Sequence, residues 1–135
     1  MCLHTISNPE TTKNYIAKMV EDKQGLVTLF KVVARRNNDY WPIYGKLITA
    51  DTKVLRPFKE GLDEAVTTKE IETEIDGCYN SGFHFFIHEM EALQFRIRDE
   101  IVLKCKVKKE WIMTLGFQDY KSVVVTSKAI FPKYN

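Results

Sequence analysis

The chain has 135 residues, 44% hydrophobic and 28% charged, with 8 Phe, 6 Tyr and 2 Trp, which is enough for one ordered core and too apolar for a disordered tail. A formal net charge of +2 does not indicate a non-specific nucleic-acid binder that depends on a dense cationic surface, and it leaves room for local basic patches. The longest apolar runs, such as Leu26 to Ala34, are interrupted by Thr28 and Lys31 and are too short to cross a bilayer.

Asn8-Pro9-Glu10-Thr11 supplies a capping residue, a proline for the first helical position and an early acid, and Tyr15, Ile16, Met19 and Val20 then recur at helical spacing. A first amphipathic helix is expected over Pro9 to Asp22, stopped by Gly25. Leu26 to Arg35 is rich in β-branched and aromatic residues and ends in the turn cluster Asn37-Asn38-Asp39, the pattern of a central strand. In Tyr40 to Asp51 the pair Trp41-Pro42 forces extended geometry and removes a ladder donor, so an edge strand or irregular crossing is expected. From Thr67 to Asp76, Lys69, Ile71, Thr73 and Ile75 alternate with Glu70, Glu72, Glu74 and Asp76. That reads as a strand with one acidic face, although Ile71 and Ile75 also lie one helical turn apart.

Gly77 to Ala92 is the most unusual stretch, a glycine-bounded loop running into the aromatic strand Phe83-His84-Phe85-Phe86 and then a helix. That second helix is expected over His88 to Arg98, with Asp99-Glu100 ending it. Ile101 to Lys108 alternates strictly, lysines outward and Leu103, Cys105 and Val107 inward, and Lys121 to Phe131 repeats the theme. Two long C-terminal strands thus flank Trp111 to Phe117. The expectation is a single α+β domain over residues 1–135, a mixed, mostly antiparallel sheet of five to six strands with two packed helices.

Cys2, Cys78 and Cys105 form an odd set without close pairing, and the first thirty residues hold no signal peptide. Reduced thiols in a cytoplasmic protein are expected. Cys2 would become an amino-terminal nucleophile only on removal of Met1, and Cys105 on the inward side of a strand is inert. His84 and His88, four apart with Cys78 and Glu89 nearby, raise the question of a metal. In an extended segment, however, the two lie roughly 13 Å apart, and no metal is expected. The glycines form no phosphate cradle, so no nucleotide cofactor is expected from the familiar glycine-rich fingerprints. Lys104, Lys106, Lys108 and Lys109, with Arg35 and Arg36, make a basic stripe near Trp111, suited to single-stranded RNA, or a solvated sheet face. Glu70, Glu72, Glu74 and Asp76 offer the opposite surface, fit for a basic protein partner or for keeping an edge soluble.

The order Met1-Cys2-Leu3, Leu29-Phe30-Lys31-Val32-Val33, Gly82-Phe83-His84-Phe85-Phe86, Glu91-Ala92, Ile101-Val102-Leu103-Lys104-Cys105 and Lys121-Ser122-Val123-Val124-Val125 resembles small uncharacterised proteins carried by phages and their bacterial hosts. The resemblance implies a mobile-element context and a host-directed, anti-defence role. More faintly, Leu29-Phe30-Lys31, Gly61-Leu62, Gly82-Phe83-His84-Phe85-Phe86 and the helix around Ala92 are similar in layout to ADP-ribosyltransferase-like domains. That likeness implies an NAD-binding cleft with Arg35, Tyr79 and His84, in degenerate form. At the first-strand position where the family has His or Arg the chain has Lys31, or Arg35 in a shifted register. In place of the family's catalytic Glu it offers Gln118 and Asp119.

The favoured expectation is a non-enzymatic interaction protein that binds and inhibits or modulates a host protein or ribonucleoprotein. Tyr40, Trp41 and Tyr44 are the candidate anchors, on a proline-containing segment that should not lie deep in the sheet.

Overall fold

The computed structural model describes residues 5–36, 39–41, 61–64, 83–118 and 120–132. In chain order these hold strand β1 (Thr5–Ile6), helix α1 (Pro9–Lys18), strands β2 (Leu26–Arg36), β3 (Asp39–Trp41), β4 (Gly61–Glu64) and β5 (Phe83–Phe86), and helix α2 (Glu89–Phe95). After them come β6 (Glu100–Lys108), a 3₁₀ turn (Lys109–Trp111), β7 (Ile112–Gln118), β8 (Lys121–Thr126) and β9 (Lys128–Phe131). The fold is α+β. β2 and β5 to β9 form the body of one sheet, and the short strands β1, β3 and β4 extend it. The order is β1-β7-β8-β5-β2-β6-β9-β4, with β3 paired to β2, and every pairing among the described residues is antiparallel.

The sheet is strongly curled. Neighbouring strands lie about 4.8 Å apart, so β5 and β9, three steps from each other, would be about 14 Å apart in a flat sheet. Yet the Phe131 ring lies 5.6 Å from that of Phe83 and 6.4 Å from that of Phe85. The connection from β8 to β9 says the same. These strands are four steps apart in the sheet and are joined by Ser127 alone, so the chain turns a corner and passes from one side of the curve to the other. The Ser127 amide donates to the Trp111 carbonyl at 2.9 Å and pins the corner.

Alternation along the strands divides the buried residues between two faces. Val27, Leu29, Val33, Phe83, Phe85, Leu103, Cys105, Val107, Val124 and Phe131 fill the concave side. Val32, Phe86, Val123 and Val125 meet Ala92 and Phe95 of α2 on the convex side, with the Phe86 and Phe95 rings 5.1 Å apart. Both faces of β5 are therefore covered, which is why Phe83-His84-Phe85-Phe86 carries no solvent-facing position.

Several boundaries differ from expectation, each for a local reason. α1 stops at Lys18, not Asp22, because Met19 turns extended after its amide donates to Ile16. α2 runs from Glu89 to Phe95, shorter than His88 to Arg98. Arg96 is extended, Arg98 has φ 39, and the Glu100 carboxylate takes the Ile97 amide at 2.8 Å. Lys121 to Phe131 is two strands broken at Ser127, and most of Trp111 to Phe117 belongs to a strand whose alternation is interrupted by a register shift between Ile112 and Thr114. Among the described residues β3 pairs with β2 alone, Trp41 opposite Ala34. The Thr67 to Asp76 alternation lies outside the described residues.

Gln118 and Lys121 pair at the close of the β7–β8 hairpin, where Tyr120 has φ 63 and a fully exposed side chain. A bulky residue in the left-handed region costs about 1–2 kcal/mol. Tyr120→Asn should raise stability by about 0.5–1 kcal/mol, since asparagine tolerates that backbone without glycine's entropy. Phe131→Ala should lower it by about 3–5 kcal/mol through the cavity left at the centre of the curve. Urea denaturation measures both, and an unchanged midpoint for Phe131→Ala would contradict the closure described.

Candidate binding groove

The turn between α1 and β2 is organised by one carboxylate. Asp22 Oδ1 accepts the amides of Gln24 at 2.8 Å and Leu26 at 3.0 Å, while Oδ2 receives Lys106 Nζ at 3.2 Å. The Asp22 amide donates to the Leu26 carbonyl at 2.8 Å, and the Gly25 amide donates back to the Asp22 carbonyl at 3.0 Å. Gly25 has φ +75, a conformation in which side chains are strained, and a Cβ there would stand 3.3 Å from Glu21 Oε2. These hydrogen bonds, led by the one from Leu26, hold the Asp22 carboxyl below its ordinary value, with Lys106 adding to the effect.

The turn forms one wall of an open groove of about 610 Å³, within the range of ligand pockets. Val27 and Leu29, both core residues, form its floor, and Tyr15, Met19, Val20 and Ile87 its sides. Val20 is 86% exposed. A smaller crevice of about 410 Å³ opens where α1 meets β7, lined by Ser7, Pro9, Thr12, Lys13, Ile16, Met113 and Thr114.

The residues singled out in the sequence are dispersed. Tyr44, Glu70, Glu72, Glu74, Cys78 and Tyr79 lie outside the described residues. Tyr40 and Trp41 fall on β3, where Trp41 is half-buried, and Arg36 pairs in register with Asp39. Arg35 is exposed at the end of β2 and shares the side of Val33, whereas His84 is buried and shares the side of Phe86 and Val125. Strand alternation therefore sets Arg35 and His84 on opposite faces. Among the described residues, no three of His, Cys, Asp and Glu converge on a point where a metal ion would sit.

The lysine row does share one face of β6, but its charges are partly answered. Lys104 Nζ lies 3.7 Å from Glu89 and Lys106 Nζ 3.2 Å from Asp22, with a hydrogen bond of 2.6 Å to Thr28 Oγ1. Next along the chain, Lys109 Nζ lies 3.3 Å from Glu21. Lys108 instead lies over the Trp111 ring, 5.6 Å from its centre.

Sequence reading missed the role of Lys31. It is buried on the concave side, donates to the His84 carbonyl at 2.9 Å and lies 5.3 Å from the centre of the Phe85 ring. Both faces of β2 are largely apolar in sequence, so alternation does not mark Lys31 as inward, and only the fold shows that an acceptor awaits it.

No family model, no curated protein and no solved structure matches the chain. Among the described residues no helix is long and apolar enough to cross a membrane.

Cys105 is fully buried, and desolvation pushes its thiol from an ordinary 9.0 up to about 12, against a smaller opposing pull from Lys31. The thiolate population falls about a thousandfold, so this thiol is no nucleophile. Because the folded value is raised, its contribution to stability is full below pH 9.0 and is lost as pH climbs toward 12. Iodoacetamide at mildly alkaline pH should alkylate Cys105 only once denaturant unfolds the chain. Peptide mass mapping distinguishes it from Cys2 and Cys78, and rapid labelling of native protein would contradict this burial.

Proposed function

We propose that the chain is a non-catalytic interaction protein whose groove between α1 and β2 takes an apolar side chain from a protein partner. The observation that carries this reading is the floor: Val27 and Leu29 belong to the main core, yet they line an open groove beside the exposed Val20. A site of this kind buries an anchor residue, the part of an interface where binding energy concentrates. Asp22 fixes the wall by hydrogen bonds, so little ordering would oppose binding.

The resemblance to small phage-borne proteins supports a host protein or host ribonucleoprotein as the partner, with an inhibitory or modulating, anti-defence outcome. RNA binding through Lys104, Lys106 and Lys108 is less favoured, since carboxylates answer two of the three. An NAD cleft built from Arg35 and His84 is less favoured because the two occupy opposite faces.

Affinity capture from host lysate, compared between the wild-type chain and Val20→Asp, tests the reading. Val20 is largely exposed, so the variant should keep its melting temperature while retention of a single stoichiometric partner weakens at least tenfold or so. Equal retention by the variant would sink the groove as the site. Micromolar NAD binding by titration calorimetry, abolished in His84→Ala, would sink the interaction reading itself.

A further inference from the structure

We propose that the groove between α1 and β2 takes its partner by strand addition: an extended segment, apolar with a neighbouring carboxylate, pairs antiparallel with β2 at Thr28 and lowers a side chain onto Val27 and Leu29. Strand addition rests on the groove as the interaction site and specifies what enters it. β6 pairs with β2 from Leu26 to Ala34. On the opposite edge β3 takes Ala34 to Arg36 and β5 meets Phe30, so among the described residues no strand covers Leu26 to Leu29. Those four consecutive residues all line the groove. Side chains alternate between the two faces of a strand, so a groove that touches all four runs along the edge itself.

The backbone along that edge is only half satisfied. Leu26 donates its amide to Asp22 Oδ1 at 3.0 Å, and its carbonyl accepts the Asp22 amide at 2.8 Å. Backbone groups of an antiparallel strand point to its two edges at alternate residues, so Thr28 and Phe30 face the same way as Leu26, away from β6. Phe30 meets Phe86 there, but Ile87 donates to the Ser122 carbonyl at 3.2 Å and the chain bends off into α2, short of Thr28. The Thr28 amide and carbonyl are thus left open between Asp22 and β5, with no hydrogen bond to a described residue. An open donor and acceptor beside an apolar floor form a template for another strand. The gap from Leu26 to Phe30 is about 13 Å, room for roughly three residues, the middle one exchanging both bonds with Thr28 while its neighbours point the way of Val27 and Leu29. Charge narrows the choice further. Glu21 and Asp22 are paired with Lys109 and Lys106, whereas Lys18 on the same groove is exposed and forms no ion pair among the described residues, so a carboxylate beside the apolar residue complements it.

The test is amide hydrogen exchange, read by NMR on the intact chain, free and with the capped peptide acetyl-Thr-Val-Thr-Leu-Thr-Glu-amide. In the free chain the Thr28 amide should exchange about a hundredfold or more faster than those of Val27 and Leu29, which β6 holds. Peptide at up to about 5 mM should slow Thr28 about tenfold or more. Methylating the nitrogen of the threonine between valine and leucine, which faces Thr28, should abolish this protection, while methylating the leucine nitrogen, which faces away, should leave it within about twofold. Glutamine in place of the glutamate should weaken binding about two- to fivefold. Protection of Thr28 in the free chain equal to that of its neighbours, equal binding of the two methylated peptides, or no protection by the parent peptide overturns strand addition. Equal binding of the glutamine form overturns the need for a carboxylate. Lysate capture with Val20→Asp judges the groove itself, so a failure there is told apart from a failure of strand addition.

Discussion

Contact between Phe131 and the pair Phe83 and Phe85 is the constraint on which the other parts depend. It brings a strand near one end of the sheet against a strand from its middle, and it can form only if the sheet rolls. Ser127 makes the roll obligatory, because a single residue cannot span the width of four flat strand steps. With the roll in place, alternate side chains of β2, β5 and β6 converge on one concave core, and α2 is left to cover the convex side.

α1 stands apart from this economy. One of its residues is buried, and its C-terminal end is held by Lys109 Nζ donating to the Ala17 carbonyl at 3.2 Å and pairing with Glu21. Exposed ionic contacts of that kind contribute little to stability. The helix therefore sits against the sheet without filling the space beneath it, and the groove and the crevice both follow from that incomplete fit.

How much of this was legible in the sequence varies by element. β2 could be read from its run of β-branched and aromatic residues and β6 from its strict alternation, and Asn8-Pro9 announced the start of α1 through capping chemistry that is local by nature. The corner at Ser127 was hidden because Lys121 to Phe131 contains no glycine or proline to mark it, and a bend imposed by distant ring packing leaves no local trace. The groove was hidden for a different reason. Tyr15, Ile16, Met19 and Val20 have the periodicity of a core-facing helix, but the chain leaves the helix at Met19 and strands Val20 in solvent. The expected anchors Tyr40, Trp41 and Tyr44 rest on the proline at position 42 keeping their segment out of the sheet interior, and only Trp41 among them has a described side chain.

The ammonium of Lys31 acts as a position gauge for the central strand. Hydrocarbon side chains along β2 would find tolerable company if the strand slid past its neighbours by one place, since valines and leucines are nearly interchangeable to a core. A slip of one residue would instead rotate Lys31 to the other surface of the sheet, away from the His84 carbonyl, and leave a positive charge pressed against Phe86 and Phe95. Misaligned assemblies, including strand-to-strand association between copies of the chain, are thereby penalised by electrostatics that the aligned fold never experiences.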